Sequence, residues 1–285
     1  IRHAIQDGYR RLLISLPTGT GKTRTFSHIP HLFPHLFPSD GRALIMAHRK
    51  ELLEQAQEAC IQFNPRLRIG MEYKNKHASG HDDIVIASIA GLWHPTQRRL
   101  ARLDPNSFSH IIYDEAHHAA SPDSVRLLKK LRVFDDDGPI LIGFTATPFR
   151  TDGIHLQSVF QCIPYHQRLD TMIRRGYLAA IRAYRIPSDT DLSGVRLDKD
   201  GDYDSTQLGN IVNTPERNAL ILGAYTHKGE NQACIVFCAN VQHAEDIAAL
   251  FSRNGFPPLR SIVADYDRRN ARAASRRLNM ARSKS

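Results

Sequence analysis

Along the first 150 positions, apolar residues fall in short unbroken runs separated by longer amphipathic stretches. The runs occupy residues 12–16, 43–47, 84–87, 110–113 and 140–144. Each holds four or five residues, mostly without polar alternation, which predicts strands covered on both faces. The stretches between them show helical spacing. In residues 49–63, for example, Leu52, Leu53, Ala56, Ala59 and Cys60 share one face. Strands that alternate with helices predict a parallel sheet in a doubly wound α/β domain. Prolines at 30, 34 and 38, the last two inside a local His-Leu-Phe-Pro repeat, end the helix that follows the first strand.

Beyond residue 150 the pattern loosens into a connecting region, with a helix expected near 169–176. Residues 188–204 are rich in Asp, Ser and Gly and read as a surface hairpin or loop excursion. Asp198, Asp200 and Asp202 alternate as in a calcium loop, but the glycine is Gly201 and the closing glutamate is absent, so a solvated turn is the reading. A second α/β unit opens at Thr214-Pro215-Glu216, with Thr214 as helix cap and Pro215 in the first turn. That helix is expected to reach about His227. A buried strand at 233–239, a helix at 241–251 closed by Asn254-Gly255, a strand at 259–264 and a basic helical tail follow. The expected organisation is a first α/β domain at 1–150, a linker with a loop excursion at 151–213, and an incomplete second α/β domain at 214–285.

A chain of 285 residues has room for two cores, and 41% hydrophobic with 24% charged residues is an ordinary globular mixture. No apolar run approaches the roughly 18 residues of a membrane helix, so no membrane partner is expected. The net charge of +9 suggests nucleic acid, but eight Lys/Arg and two Asp between Arg260 and Ser285 supply +6 of it. Charge therefore says little about the folded part. Cys60, Cys162, Cys234 and Cys238 do not form a zinc or disulfide pattern and read as free thiols. Ile1 stands where a start methionine would, which leaves localisation open.

The chemistry gathers at strand ends. Pro17-Thr18-Gly19-Thr20-Gly21-Lys22-Thr23 follows the first strand and precedes a helix. Glycines let the backbone wrap a phosphate with its N–H groups turned inward, Lys22 neutralises the terminal phosphates, and the Thr23 hydroxyl is placed for Mg2+. The general phosphate-loop pattern has Gly where Leu16 stands, and Gly19 offers a second flexible point. Asp114-Glu115-Ala116-His117 ends the fourth run, with Asp114 as the metal candidate and Glu115 as the base that would activate water. Ala47-His48-Arg49, Ser88-Ile89-Ala90 and Thr145-Ala146-Thr147-Pro148 also begin where strands end, the side on which open parallel sheets bind ligands.

Together these segments, with residues 235–251, resemble the successive motifs of superfamily-two helicases of the DEAD/DEAH type. The likeness is closer to the branch of type III restriction-enzyme helicase subunits and excision-repair proteins. Residues 160–178, with Tyr165-His166 and Arg175-Gly176-Tyr177-Leu178, are similar to fungal mitochondrial DNA helicases of that branch. The resemblance implies two RecA-like domains, ATP and Mg2+ as cofactors, and nucleic acid, DNA before RNA, as partner. It implies ATP binding by Gly19, Gly21, Lys22 and Thr23, and direction of Mg2+ and water by Asp114 and Glu115. His117, Thr145 and Thr147 would couple the nucleotide state to domain movement, and Arg49 and Ser88 would touch the nucleic-acid backbone. A compartment in the mitochondrion or nucleus is compatible with it. His118 beside His117 is read as structural.

Two departures bear on activity. The family's base-contacting glutamine upstream of the phosphate loop and its arginine-finger motifs are not found. The run Arg268, Arg269, Arg272, Arg276 and Arg277 lacks their context. An arginine finger contributes about 10³–10⁵ in rate, so slow hydrolysis without unwinding is expected of this polypeptide. A catalytically silent ATP- and nucleic-acid-binding module stays open beside the helicase or translocase reading. A small-molecule phosphotransferase leaves Asp-Glu-Ala-His, Thr-Ala-Thr and the second α/β unit unexplained.

Overall fold

The computed structural model describes residues 1–32, 41–93, 99–148, 156–197, 203–229, 232–257 and 259. The chain forms two compact units, Ile1–Ile181 and Arg182–Ser285. In the first, the order is α1 (Arg2–Gln6), β1 (Arg11–Ser15), α2 (Lys22–Ser27), α3 (Ile29–Leu32), β2 (Arg42–Ala47), α4 (Lys50–Phe63), β3 (Ile69–Glu72) and β4 (Ile84–Ser88). Next come α5 (Ile89–Trp93), α6 (Arg99–Arg102), β5 (Phe108–Asp114), α7 (Pro122–Lys130), β6 (Ile140–Thr145), β7 (Cys162–His166) and α8 (Leu169–Arg174). The seven strands make one parallel sheet in the order β3-β4-β2-β5-β6-β1-β7. This is the doubly wound α/β architecture expected from the run pattern.

The unbroken apolar runs are explained by period-two geometry between two helical layers. Leu13, Leu44, Met46, Val85, Ile111, Tyr113 and Leu141 point to the face covered by α5, α6 and α7. Their neighbours Ile14, Ala43, Ile45, Ile84, Ile86, Ile112, Ile142 and Phe144 point to the face covered by α2 and α4. Gly143 interrupts the pattern for a steric reason. A Cβ there would lie 2.5 Å from Phe160 Cζ and 2.8 Å from Ala116 Cβ.

Two strands exceed the five expected. β3 is Ile-Gly-Met-Glu, too short and too polar to register as an apolar run. β7 carries Pro164, which cannot donate to a ladder and is tolerated because β7 is the edge strand beside β1. Between Leu12↔Cys162 and Ile14↔Tyr165 the register slips by one residue on the β7 side. The stretch 151–213, expected as a linker, thus contributes β7 and α8 to the sheet-bearing unit.

The second unit contains α9 (Ser205–Val212), α10 (Pro215–Lys228) and α11 (Val241–Arg253). α10 starts as expected: Thr214 Oγ1 accepts the Arg217 N–H at 3.3 Å and Pro215 fills the first turn. Asn240 caps α11 by accepting the His243 N–H at 2.9 Å. Tyr225, Phe251 and Phe256 cluster with ring centroids 5.3–5.6 Å apart. Leu197 and Tyr203, on either side of the expected turn, form an isolated antiparallel bridge. The strand expected at 233–239 is not formed. Among the described residues that segment has no ladder partner, and Ile235 and Phe237 are 80% and 93% exposed. An apolar run becomes a strand only with a neighbour to bond, and no strand of the described residues lies beside it. The His-Leu-Phe-Pro repeat, Asp198–Asp202, the strand at 259–264 and the basic tail lie outside the described residues, apart from Ile29–Leu32 and residue 259.

Candidate nucleotide and nucleic-acid site

Register fixes where the motifs meet. Ser15 pairs with Thr145, Asp114 with Phe144, Met46 with Tyr113, and Ala47 with Ser88. The carboxyl ends of β1, β6, β5, β2 and β4 therefore form one row at nearly equal height. With neighbouring strands about 4.8 Å apart, the β1 and β5 ends lie about 10 Å from each other. Lys22 and Asp114, 92 positions apart in the sequence, are thus brought to the same edge.

The loop leaving β1 is tied down at its start by the Leu16 N–H, which donates to the Thr145 carbonyl at 2.9 Å. Thr20 folds back on the Pro17 carbonyl through its hydroxyl at 2.6 Å and its N–H at 3.4 Å. Gly19 and Gly21 have φ of 83° and 87°, left-handed values that favour glycine. Gly21 directly precedes α2, so Lys22 and Thr23 occupy its first turn. Leu178 Cδ2 lies 3.3 Å from where a Gly19 Cβ would be, so the segment after α8 packs on the loop. The reversal is made by Gly176, at φ 75°, with the Tyr177 N–H donating to the Met172 carbonyl. In the sequence, Arg175-Gly176-Tyr177-Leu178 is marked only by its resemblance to the fungal helicases. Its contact with the loop needed three dimensions.

Across the row, Asp114 is 4% exposed. Desolvation, aided by the Glu115 carboxylate, raises its pKa to about 6, against the opposing pull of Lys22. Glu115 is held below the usual range, first by its hydrogen bond to His117 and then by Lys22 and the neighbouring histidines. Lys22 is thus within electrostatic reach of both carboxylates. Glu115 adopts φ 53°, ψ 51°, left-handed and unusual for a glutamate, at the entry to a 3-10 turn over Ala116–His118. The turn brings Glu115 Oε2 to 3.4 Å from His117 Nδ1.

His117 Nδ1 also stands 3.2 Å from the Thr145 hydroxyl, which accepts the Thr147 N–H at 3.1 Å. The three residues given a coupling role by resemblance thus form one contact group beside the carboxylates. Arg49 and Ser88 sit one and two strands further along the row. Arg49 is exposed at the start of α4. Ser88 is 5% exposed and its hydroxyl accepts the Gly91 N–H at 3.4 Å, which binds it into the start of α5.

Asp114 and Thr23 could hold a divalent cation. A buried, like-charged carboxylate pair with one member driven up in pKa is short of positive charge. Among the described residues no set of three or more His, Cys, Asp or Glu side chains could hold a metal ion. The carboxylate pair fits a divalent cation that takes few protein ligands and completes its shell with phosphate oxygens and water.

Residues 1–150 match the family model described as the type III restriction enzyme, res subunit. The chain belongs to this family. It is the branch of superfamily-two helicases that the motifs resembled. Among curated relatives, irc3 of Schizosaccharomyces pombe, named as a candidate mitochondrial ATP-dependent helicase, is 33% identical over 255 residues. The match covers 89% of this chain and 41% of irc3. IRC3 of Saccharomyces cerevisiae, named as a candidate ATP-dependent helicase, is 32% identical over 262 residues, with 89% and 37% covered. The chain therefore spans about two fifths of the length of the yeast proteins it matches. The helicase domain of Hef from Pyrococcus furiosus superposes with a TM-score of 0.50 at 19% identity, covering 89% of this chain and 51% of that one, and agrees with the RecA-like fold. Among the described residues no helix is long and apolar enough to cross a membrane.

Proposed function

We propose that the chain is the ATP-binding motor portion of a nucleic-acid helicase or translocase acting on DNA. The observation that supports this best is the position of Lys22, which acts electrostatically on both Asp114 and Glu115 at one end of the sheet. In this reading the loop from Pro17 to Thr23 cradles the triphosphate through its backbone N–H groups, and Lys22 neutralises its terminal phosphates. Mg2+, held by Asp114 and Thr23 when bound, supplies charge stabilisation to the phosphoryl oxygens. Glu115, kept ionised by His117 and Lys22, orients the attacking water and accepts its proton. His117, Thr145 and Thr147 read the state of the phosphates through their shared hydrogen bonds. Arg49, with Ser88 positioning the start of α5, offers a contact to the backbone of a strand crossing the row, a contact that positions without reading sequence.

The second unit is assigned to part of a second RecA-like domain, on the strength of the relatives that match 89% of the chain. Single-stranded DNA is the first ligand to test, because the family takes its name from a restriction enzyme. The mitochondrial wording of the fission-yeast relative's name makes that organelle the first compartment to examine.

The deciding experiment measures labelled-ATP binding and hydrolysis, with and without single-stranded DNA or RNA, for this chain and its Lys22→Ala variant. Nucleotide binding is expected to collapse in the variant. Equal affinity in both proteins would remove the phosphate loop from the mechanism.

A further inference from the structure

Two histidines that the proposed chemistry does not use bridge the gap between its two halves. The ring of His118 lies 4.0 Å from that of His117, centroid to centroid, at 46°. On its other side it meets His48 edge to face, at 4.7 Å and 65°. His48 Nε2 lies 3.3 Å from the Tyr113 hydroxyl, which is 2.8 Å from Ser124 Oγ near the start of α7. His48 is also the residue before Arg49, whose carbonyl accepts the Leu53 N–H in the first turn of α4. A continuous path of contacts thus runs from Thr145 and Glu115, through His117, His118 and His48, to the start of α4.

The other route between these points is the β5–β2 ladder. Its side chains are buried among both helical layers, and close-packed interiors of this kind resist rearrangement. Coupling between sites requires an element with two discrete arrangements. The ring contacts lie outside that packed core: His48 and His118 are exposed side chains, and a change between staggered positions at an exposed side chain need not disturb buried packing. His48 also keeps a neutral ring at physiological pH, because the groups crowded round it desolvate it and, with the imidazoles of His118 and His117, push its pKa down to about 4. A neutral His48 ring can stack closely on His118 without charge repulsion.

We propose that His118 and His48 are positioning residues that transmit occupancy of the nucleic-acid contact at Arg49 to His117 and Glu115, so that nucleic acid and nucleotide bind cooperatively. This rests on the function proposed above. Neither histidine need touch either ligand. Linkage then requires the effect to be reciprocal: nucleotide tightens nucleic acid by the same factor as nucleic acid tightens nucleotide, typically about 5–150-fold.

The test determines the affinity of the full chain for a non-hydrolysable ATP analogue with Mg2+, with and without saturating oligo-dT. The wild-type protein is expected to bind the analogue at least about five-fold more tightly with oligo-dT present. His118→Ala and His48→Ala should each bind the analogue alone within about two-fold of wild type, yet lose the oligo-dT effect. The double variant should lose no more than either single one, as members of one path do. His118→Phe, which keeps a ring in the contact, should retain most of the effect and shows that a loss in the alanine variants is not a failure to fold.

Undiminished coupling in both alanine variants would overturn the relay, as would additive losses. So would a wild-type protein that binds both ligands without any mutual effect. A wild-type protein that binds no nucleotide overturns the functional reading itself, and the relay with it.

Discussion

Asp114→Asn isolates the energetic consequence of placing a carboxylate where the site needs one. Burial and the Glu115 charge move the Asp114 pKa from 3.8 to about 6. The sign follows from linkage. Below the unfolded value the group is protonated in both states and there is no penalty. As pH rises through the interval, the unfolded chain releases its proton first, and stability is lost until the folded group ionises near pH 6. A shift of about two units corresponds to about 3 kcal/mol at neutral pH, and to less than about 1 kcal/mol near pH 4. Asparagine keeps an oxygen to accept the Glu115 N–H, now 3.0 Å from Asp114 Oδ1, and removes the charge.

In metal-free buffer at pH 7.5 the variant should therefore be more stable than wild type by about 2–3 kcal/mol, or about 4–12 °C in the melting of a domain this size. The gain should be accompanied by loss of Mg2+-dependent nucleotide binding, the usual exchange of stability for function. Melting curves from pH 4 to 8 in EDTA check both sign and shape. A variant less stable than wild type at pH 7.5, or a gap that does not change with pH, would refute the assignment of Asp114 as a carboxylate held at a cost.

Other outcomes follow from single contacts. Gly143→Ala must displace Phe160 or Ala116, and overpacking of this kind costs about 1–3 kcal/mol, to be read from urea denaturation. Gly19→Ala meets both an unfavourable φ and Leu178, so nucleotide affinity should fall even though no side chain is removed; titration with the ATP analogue tests this. His110, buried in β5, has its pKa lowered to about 3 by desolvation. The unfolded histidine takes up its proton first as pH falls below 6.5, so between pH 7 and 5 wild type should lose about 2 kcal/mol that His110→Gln keeps, measured by paired denaturation curves. Thr214→Ala removes the cap of α10 and should destabilise the second unit by about 1 kcal/mol, visible as earlier melting of its helical signal.

The chain is most legible where backbone geometry leaves few choices. Five buried strands, the glycine-bearing loop and the carboxylate pair could all be read because a strand clad on both faces must be apolar and a phosphate cradle must be flexible. β3 and β7 do not stand out as apolar runs because their positions at the sheet margins relax the apolar requirement, and β7 even admits Pro164. The run Ala-Cys-Ile-Val-Phe-Cys-Ala has the composition of a strand without forming one, since composition does not say whether a neighbour will be there to bond. At the site, residue types pointed to Lys22, Asp114 and Glu115. The contacts of His118 with His48 and of Leu178 with the loop join residues 70 and 159 positions apart, and only the folded register creates them.

The sheet is also a partition. Leu16 and Phe26, which anchor the phosphate loop and its helix, belong to one apolar layer. Ala116 and Ala119, which anchor the carboxylate turn, belong to the other. Lys22 opens the helix seated on the first layer, whereas Asp114 ends β5, whose side chains feed both layers, so repacking in either layer can change the gap between ammonium and carboxylate. Variants that alter this edge of the sheet are therefore to be sought among the buried residues of both layers, where a screen confined to residues at the strand ends would never look.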